Sequence, residues 1–214
     1  MSIGILACES LLEYVEAAQE KLGTEYPVFV LDYSGDESPQ QMRSRIIGIT
    51  MLLPAEMDTV LVAMGFCGGS WNQLSFDRRV VIPRVDDCVS ILLNTGNDYQ
   101  PNPKQAGHLY IMEQNPEQEC KRLCQQCPRW KVDSCYPKWF ANHSHLDIVD
   151  TGIFDCYREG YVEKAQQCAQ MVNCTLDYVS GSNRLLEKLI GGQWDDQFLV
   201  AEPGQEIAHK YFFL

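Results

Sequence analysis

Short runs of apolar residues recur along the chain and alternate with segments whose apolar positions follow a helical period. Each run has the length of a buried β-strand, and apolar positions spaced near 3.6 residues are typical of a helix with one buried face. The runs predict strands at Ile3–Ala7, Pro27–Leu31, Val60–Met64, Val80–Pro83, His108–Glu113, Asp147–Thr151, Thr175–Val179 and Gln197–Ala201. The helical spacing predicts helices over 9–22, 39–53, 157–172 and 182–189, with a short one from Asp86 to Leu93.

Strand and helix alternate along most of the chain, which favours the α/β class. We predict a mostly parallel sheet with helices on both faces, in a Rossmann-like arrangement. No linker or repeat interrupts the pattern, so residues 1–214 are expected to form a single α/β domain. Residues 116–145 are the exception, since they are rich in cysteine and tryptophan and lack clear periodicity. We interpret this segment as a cysteine-rich insertion.

The charge balance narrows the class of partners. The 17 basic residues against 29 acidic ones give a net charge of −12, which argues against a nucleic acid or an anionic membrane as partner. No apolar run reaches the ~20 residues that a membrane span requires. The first residues lack the basic region and the cleavage signature of a signal peptide, and acidic residues follow at once, so we expect a cytoplasmic protein. The sequence leaves monomer and homo-oligomer open.

Ten cysteines are many for such a chain, and three of them follow predicted strands. The run Ile3–Ala7 is followed directly by Cys8. The runs Val60–Met64 and Val80–Pro83 are followed within a few residues by Cys67 and Cys88. Parallel strands present their carboxyl ends at one edge of the sheet, where ligands bind. Three thiolates at one edge suit zinc with an open fourth position, or an iron–sulfur cluster. The alternative is that these cysteines are small buried side chains that only pack.

Other residues at the same strand ends are candidates for positioning a ligand or moving a proton. Glycines after the third strand allow close approach of a ligand to the backbone, and a polar turn follows the sixth strand. The acidic candidates each have a structural alternative, because carboxylates also cap helices and turns. The candidates for proton transfer are Glu9, Asp87 and Asp150, and those for cofactor binding are Gly65, Gly68, Gly69, Thr151 and Gly152.

A second group of cysteines has a tighter local spacing. Cys120, Cys124 and Cys127 are followed by Pro128, with Cys135 further along. Close thiolates followed by Cys-Pro are typical of loops that bind iron–sulfur clusters, and they also suit structural zinc. Free or disulfide-paired thiols are the alternative.

The chain has no Gly-x-Gly-x-x-Gly after a strand, no Walker loop and no Gly-x-Ser-x-Gly turn, which argues against nucleotide-driven chemistry and serine hydrolysis.

The strand-end motifs together resemble a known family. In order, ILACESL, MGFCGGSW, VIPRVDDCVSILL, DTGIFDCY and GSNRLLEKLIGGQWDDQFLVAEPG are similar to the family catalogued as domain of unknown function 1638. The resemblance spans Ile3 to about Gly204. It implies that cysteines at the positions of Cys8, Cys67 and Cys88 are shared. Relatives usually carry histidine where this chain has Asp86, so no histidine ligand is carried over, and the Cys120–Cys135 group looks like an elaboration.

The resemblance also implies a biological setting. The family is found largely in anaerobes and methanogens, often beside corrinoid-dependent methyltransferase systems. The resemblance therefore implies a role around one-carbon transfer without naming an activity. Together with the strand-end cysteines it predicts a metal-binding protein, with zinc or an iron–sulfur cluster as cofactor and a corrinoid as a further candidate. Its partner would be a small molecule or a corrinoid protein. The alternatives are an iron–sulfur accessory protein that uses Cys120–Cys135 and a non-catalytic partner of a corrinoid protein, so enzyme activity stays open.

Overall fold

A computed structural model of the protein describes residues 2–32, 38–125 and 140–212. Its strands are β1 (Ile3–Cys8), β2 (Val28–Leu31), β3 (Thr59–Ala63), β4 (Arg79–Pro83), β5 (His108–Ile111), β6 (His145–Asp150), β7 (Thr175–Ser180) and β8 (Phe198–Ala201). Its α-helices are α1 (Leu12–Leu22), α2 (Pro39–Leu52), α3 (Cys88–Leu93), α4 (Pro116–Gln125), α5 (Glu159–Val172) and α6 (Arg184–Ile190). The protein is therefore a mixed α/β protein, as the sequence predicts.

The described residues fall into two compact units. The first comprises 2–32, 38–103 and 183–212, and the second comprises 104–125 and 140–182. The sequence predicts one domain and gives no sign of this division, because strands and helices alternate throughout without a linker of distinct composition. Of the predicted insertion 116–145, residues 126–139 lie outside the described part of the chain.

The first unit is built on a five-stranded sheet in the order β2-β1-β3-β4-β8. The first four strands are parallel, so β1, β3 and β4 end at the same edge, while β8 joins β4 antiparallel. In the register, Ile5 lies beside Leu61, which lies beside Val81. The prediction of parallel strands β1, β3 and β4 is therefore confirmed. The antiparallel β8 was not anticipated.

Helices cover both faces of this sheet because every inner strand is apolar on both sides. Leu6, Val62 and Ile82 belong to a core that also contains Met42 and Ile46 of α2. The alternate strand residues are equally buried, and α1 and α6 contact the strands there. Helix α2 begins as predicted, since the Ser38 hydroxyl accepts the Gln41 N–H and the Gln41 side chain accepts the Ser38 N–H.

The second unit has a three-stranded parallel sheet in the order β5-β6-β7. One face packs Ile111, Leu146 and Ile148 against Tyr161 and Ala165 of α5. The other face is polar near the starts of the strands. His108 and His145 stack there with ring centroids 4.4 Å apart, and the His108 Nδ1 lies 2.7 Å from the buried Asp147 carboxylate. Each of the two sheets therefore has its own core.

Within the described residues, no helix combines the length and apolarity that crossing a bilayer would require.

Candidate metal centre at the sheet edge

Three cysteines meet at the carboxyl edge of the first sheet. Cys8 is the last residue of β1, Cys67 lies in the one-turn helix Cys67–Gly69 after β3, and Cys88 is the first residue of α3 after β4. Because β3 lies between β1 and β4, the three loops leave the sheet side by side. Cys8 is part of the core cluster under α2, and Cys67 and Cys88 pack against that cluster.

Cys88 interacts with each of the other two thiols. Cys8 and Cys88 are linked by a side-chain hydrogen bond, and Cys88 is linked to Cys67 by another. The bond to Cys88 and burial raise the pKa of the Cys8 thiol well above its usual value. For Cys88 the bond to Cys67 raises the pKa, the bond to Cys8 lowers it and burial raises it, so that the pKa lies well above its usual value. All three cysteines are free thiols, and two of the three pairs, Cys8–Cys88 and Cys67–Cys88, interact directly.

Backbone contacts hold the two loops that carry Cys67 and Cys88 together. The Phe66 N–H donates to the Val85 carbonyl at 2.9 Å, and the Cys67 N–H donates to the Asp86 carbonyl at 2.6 Å. Gly65 makes this approach sterically feasible, since a Cβ there would lie 2.6 Å from the Asp87 Cα. Gly65, predicted to approach a cofactor, instead approaches the neighbouring loop in this structure.

Cys67 has a backbone conformation that a side chain normally avoids. Its φ is +47°, in the left-handed region, and Gly68 and Gly69 follow with φ values of +65° and +94°. A residue with a Cβ is disfavoured there, and such strain persists where the surroundings enforce it, often at functional sites. Here the strained turn brings Cys67 to the side of Cys88. The turn therefore favours the thiol cluster at a cost in backbone energy.

A cleft of about 370 Å³ adjoins the cysteine loops. Its lining is formed by residues adjacent to Cys67 and Cys88 in the sequence, together with one histidine from the C-terminal segment. The lining residues are Phe66, Gly68, Gly69, Asp86, Asp87 and His209. Small-molecule sites in proteins have volumes of roughly 300–1,000 Å³. The cleft therefore has the size for a small ligand beside the thiols.

A larger cavity of about 580 Å³ lies elsewhere in the first unit, lined by residues that include Arg184, Lys188 and Asp195. Its cations are already bound within the protein. Lys188 contacts Asp195 and donates to the Gln197 side-chain oxygen at 2.8 Å, and Arg184 donates to the same oxygen at 3.2 Å. This network ties α6 to the segment before β8, so we interpret it as structural.

The acidic candidates beside the thiols have different roles. Asp87 caps α3, where its Oδ1 accepts the Ser90 N–H at 2.9 Å, and it also borders the cleft. Glu9 starts the short helix Glu9–Leu11 and its side chain is exposed. Sequence reasoning missed Ser10, whose hydroxyl lies 3.2 Å from the Cys8 sulfur. A hydroxyl two residues after a strand-end cysteine was the available signal.

His209 was also missed, because no local pattern places it near the cysteines. The C-terminal segment is fixed beside the loop after Cys67 by two contacts: the Gln73 N–H donates to the Ile207 carbonyl at 2.7 Å, and the His209 N–H donates to the Asn72 side chain at 2.9 Å. The His209 ring stands edge-on to Phe66 with centroids 5.5 Å apart. Only the folded chain brings this histidine to the cleft.

Asp150, Thr151 and Gly152 belong to the second unit, where β6 ends. The Asp150 carboxylate accepts the Gly152 N–H at 3.1 Å and the Tyr157 hydroxyl at 2.6 Å. That second bond is the main reason why the pKa of Tyr157 rises to about 12. Asp150 therefore holds its own loop, which is the structural alternative considered for it. Its predicted role in proton transfer stays a prediction.

The second cysteine group is only partly described. Cys120, in α4, forms a disulfide with Cys168 of α5. The side chain of Cys124 and the whole of Cys127 and Cys135 lie outside the described residues. A cysteine bound to Cys168 is not available to a metal in the same state. The predicted cluster at Cys120, Cys124, Cys127 and Cys135 stays a prediction.

The chemistry of the three clustered thiols fits a thiophilic metal ion, since three sulfur donors with an open fourth position are typical of zinc. Across the ranges that the structure describes, no group of three or more cysteine, histidine, aspartate or glutamate side chains is placed so that it could hold a metal ion. The contacts agree with this, since Cys88 interacts with Cys8 and with Cys67 in two separate pairs, whereas coordination requires all three sulfurs to face one point. Metal binding at Cys8, Cys67 and Cys88 thus stays a prediction.

Comparison with known proteins adds one finding. No curated protein and no solved structure matches the chain significantly. A family model does match, over residues 30–190, a range that contains Cys67 and Cys88 and begins after Cys8. The match covers most of the sequence, and the chain therefore belongs to the family described as protein of unknown function (DUF1638).

Proposed function

We propose that Cys8, Cys67 and Cys88 bind one metal ion, with zinc the favoured ion, and that the adjoining cleft admits the small molecule on which the ion acts. The observation that carries this proposal is the interaction of Cys88 with both Cys8 and Cys67, three free thiols from three separate strand ends. Buried cysteines that only pack need no such convergence. The strained backbone of Cys67 is a second support, since strain that serves packing alone would be readily lost.

The closeness of the sulfurs favours a single ion over an iron–sulfur cluster. Three sulfurs at about 2.3 Å from a tetrahedral zinc lie about 3.8 Å from one another, which is near the separation of hydrogen-bonded thiols. The three cysteines of a cluster bind three different iron atoms, so their sulfurs stand further apart. Thiols that interact directly therefore suit a single zinc ion better than a cluster.

When bound, zinc would supply Lewis acidity, which lowers the pKa of a coordinated thiol or water. The residues of the chain would hold the ion and position the bound small molecule. Cys8, Cys67 and Cys88 would lose their protons and bind the ion, and the loop contacts at Gly65 would keep Cys67 beside Cys88. Asp87 borders the cleft while it caps α3, which supports a positioning role. Gly68 and Gly69 also line the cleft, and Glu9 follows Cys8 directly in the sequence.

The biological setting rests on the family resemblance. We propose a cytoplasmic protein of corrinoid-dependent one-carbon metabolism, in which the metal site takes part in transfer of a methyl group. Five of the described cysteines are free, which favours a reducing compartment, whereas the Cys120–Cys168 disulfide is of a kind that is rare there. A corrinoid protein is the proposed partner.

The finer fold assignment, a Rossmann-like unit with a cysteine-rich insertion at 116–145, belongs to the same proposal. The iron–sulfur accessory protein and the non-catalytic partner remain the alternatives.

The test is metal analysis of protein purified without oxygen. We expect about one zinc per chain, lost on replacement of any of the three cysteines, Cys8→Ser, Cys67→Ser or Cys88→Ser. Cys174→Ser is the matched control, since Cys174 is a free and partly buried thiol in the second unit. Metal-free protein, or zinc retained in Cys88→Ser, would contradict the proposal. Brown protein whose absorption band disappears in Cys124→Ser would support the cluster instead.

A further inference from the structure

The Ser10 hydroxyl makes a direct contact with one of the three clustered sulfurs. Its oxygen lies 3.2 Å from the Cys8 sulfur, and it is held there by the one-turn helix Glu9–Leu11, which starts where β1 ends. In the free protein either group can donate, because both the thiol and the hydroxyl carry a proton. The contact therefore has no fixed direction until Cys8 loses its proton.

Deprotonation of Cys8 fixes the direction of this hydrogen bond. A thiolate has no proton to give, so the Ser10 hydroxyl must donate to it, and a hydrogen bond to a charged acceptor is stronger than one between neutral groups. Cys8 is the member of the cluster that needs such a donor, since it is only 4% exposed and water gives its charge little stabilisation. Ser10 is partly buried beside it.

We propose that Ser10 is a positioning residue of the metal centre, which donates a hydrogen bond to the Cys8 thiolate and tunes its strength as a ligand. The inference rests on the proposed function, because it requires metal-bound Cys8. Donors to the ligands of a metal site typically change metal affinity by about 10–100-fold when removed. A thiolate that accepts a hydrogen bond gives less electron density to the metal, so the energy of sulfur-to-metal charge transfer depends on this donor.

Cobalt(II) is the probe, since it replaces zinc in thiolate sites and has a sulfur-to-metal charge-transfer band. In Ser10→Ala we expect this band to move to longer wavelength and cobalt affinity to fall 10–100-fold. Ser10→Thr keeps the hydroxyl and should restore both values. Ser44→Ala is the control, because Ser44 is an exposed serine of α2 that bonds only the Gln40 carbonyl among the described contacts.

The outcomes separate this inference from the proposed function. Wild-type protein without a charge-transfer band would remove the proposed function, and this inference with it. A normal band in wild type that is unchanged in Ser10→Ala, with equal cobalt affinity, would overturn the role of Ser10 alone. A lower melting temperature in Ser10→Ala without a band shift would also overturn it, since that result assigns Ser10 a purely structural part.

Discussion

The two units end their parallel strands in different ways. In the first, three loops direct their cysteines toward one another, so that Cys88 contacts both Cys8 and Cys67. In the second, the carboxylate at the end of β6 turns back to its own loop, where Asp150 accepts bonds from Gly152 and Tyr157. Both edges have the geometry that parallel sheets use for ligands. Among the described residues, the first edge is where free thiols from separate strand ends interact.

Convergence of side chains is thus a better guide to function than position at a strand end. Asp150 and Cys88 both follow parallel strands, and the sequence alone treats them alike. The structure separates them by the partners of their polar atoms. A group whose hydrogen bonds are satisfied within its own turn has a structural reason to be there. A group that meets two like groups from distant segments lacks that explanation.

The largest effect should come from a methyl group at Gly65. In Gly65→Ala the new Cβ would lie 2.6 Å from the Asp87 backbone, so the loops of Cys67 and Cys88 must separate. We expect zinc binding to be lost and the free energy of unfolding to fall by about 1–3 kcal/mol, as for other overpacked sites. Metal analysis and chemical denaturation measure the two effects.

Gly152→Ala is the comparison at the other edge. A Cβ at Gly152 meets no atom within 4 Å, although its φ of +73° disfavours a side chain. We expect a smaller loss of stability and unchanged zinc content. Equal zinc loss in both variants would show that the first edge is not special.

The next largest effect on stability should come from relief of the backbone strain at Cys67. Cys67→Gly and Cys67→Ala both remove the thiol and should abolish zinc binding, but only glycine accepts the φ of +47°. We expect Cys67→Gly to be more stable than Cys67→Ala by about 1–2 kcal/mol, measured as the free energy of unfolding without metal. If alanine is as stable as glycine, the turn is not strained and one support for the metal site is gone.

Two substitutions separate the helix-capping role of the Asp87 side chain from the role of its negative charge. Asp87→Ala removes the acceptor for the Ser90 N–H and should cost about 1 kcal/mol of stability. Asp87→Asn keeps that acceptor and should cost much less, since asparagine is also a good N-cap. Zinc content should be normal in both variants. An activity that is lost in Asp87→Asn while stability is kept would assign the carboxylate a role beyond the cap.

The smallest effect concerns Tyr157 at the second edge. Its hydrogen bond to Asp150 raises the pKa to about 12, so the bond stabilises the fold fully below the ordinary tyrosine value of 10.0 and is lost as pH rises through about 12. In Asp150→Asn we expect this pKa to fall toward 10, because the acceptor is no longer charged. Alkaline titration of tyrosinate absorbance, with Tyr157→Phe subtracted in each background, measures it. An unchanged pKa would contradict the assignment of Asp150 to its own loop.

The sequence predicted the thiol cluster for reasons that are local and general. Apolar runs before Cys8, Cys67 and Cys88 marked three strands, and parallel strands end at one edge whatever their order. No comparable rule gives the pairing of β4 with β8 or the arrival of His209 at the cleft. Both depend on contacts between distant segments, which leave no trace in local periodicity. The division into two units was hidden for the same reason.

The strand β8 has a consequence for the order of folding. It pairs with β4 but follows it by more than a hundred residues, so the whole of 104–182 is synthesised between the two strands. During synthesis β4 therefore remains an open edge strand until β8 emerges from the ribosome. The sheet that carries the three cysteines is completed only then. We expect the metal to be loaded after translation.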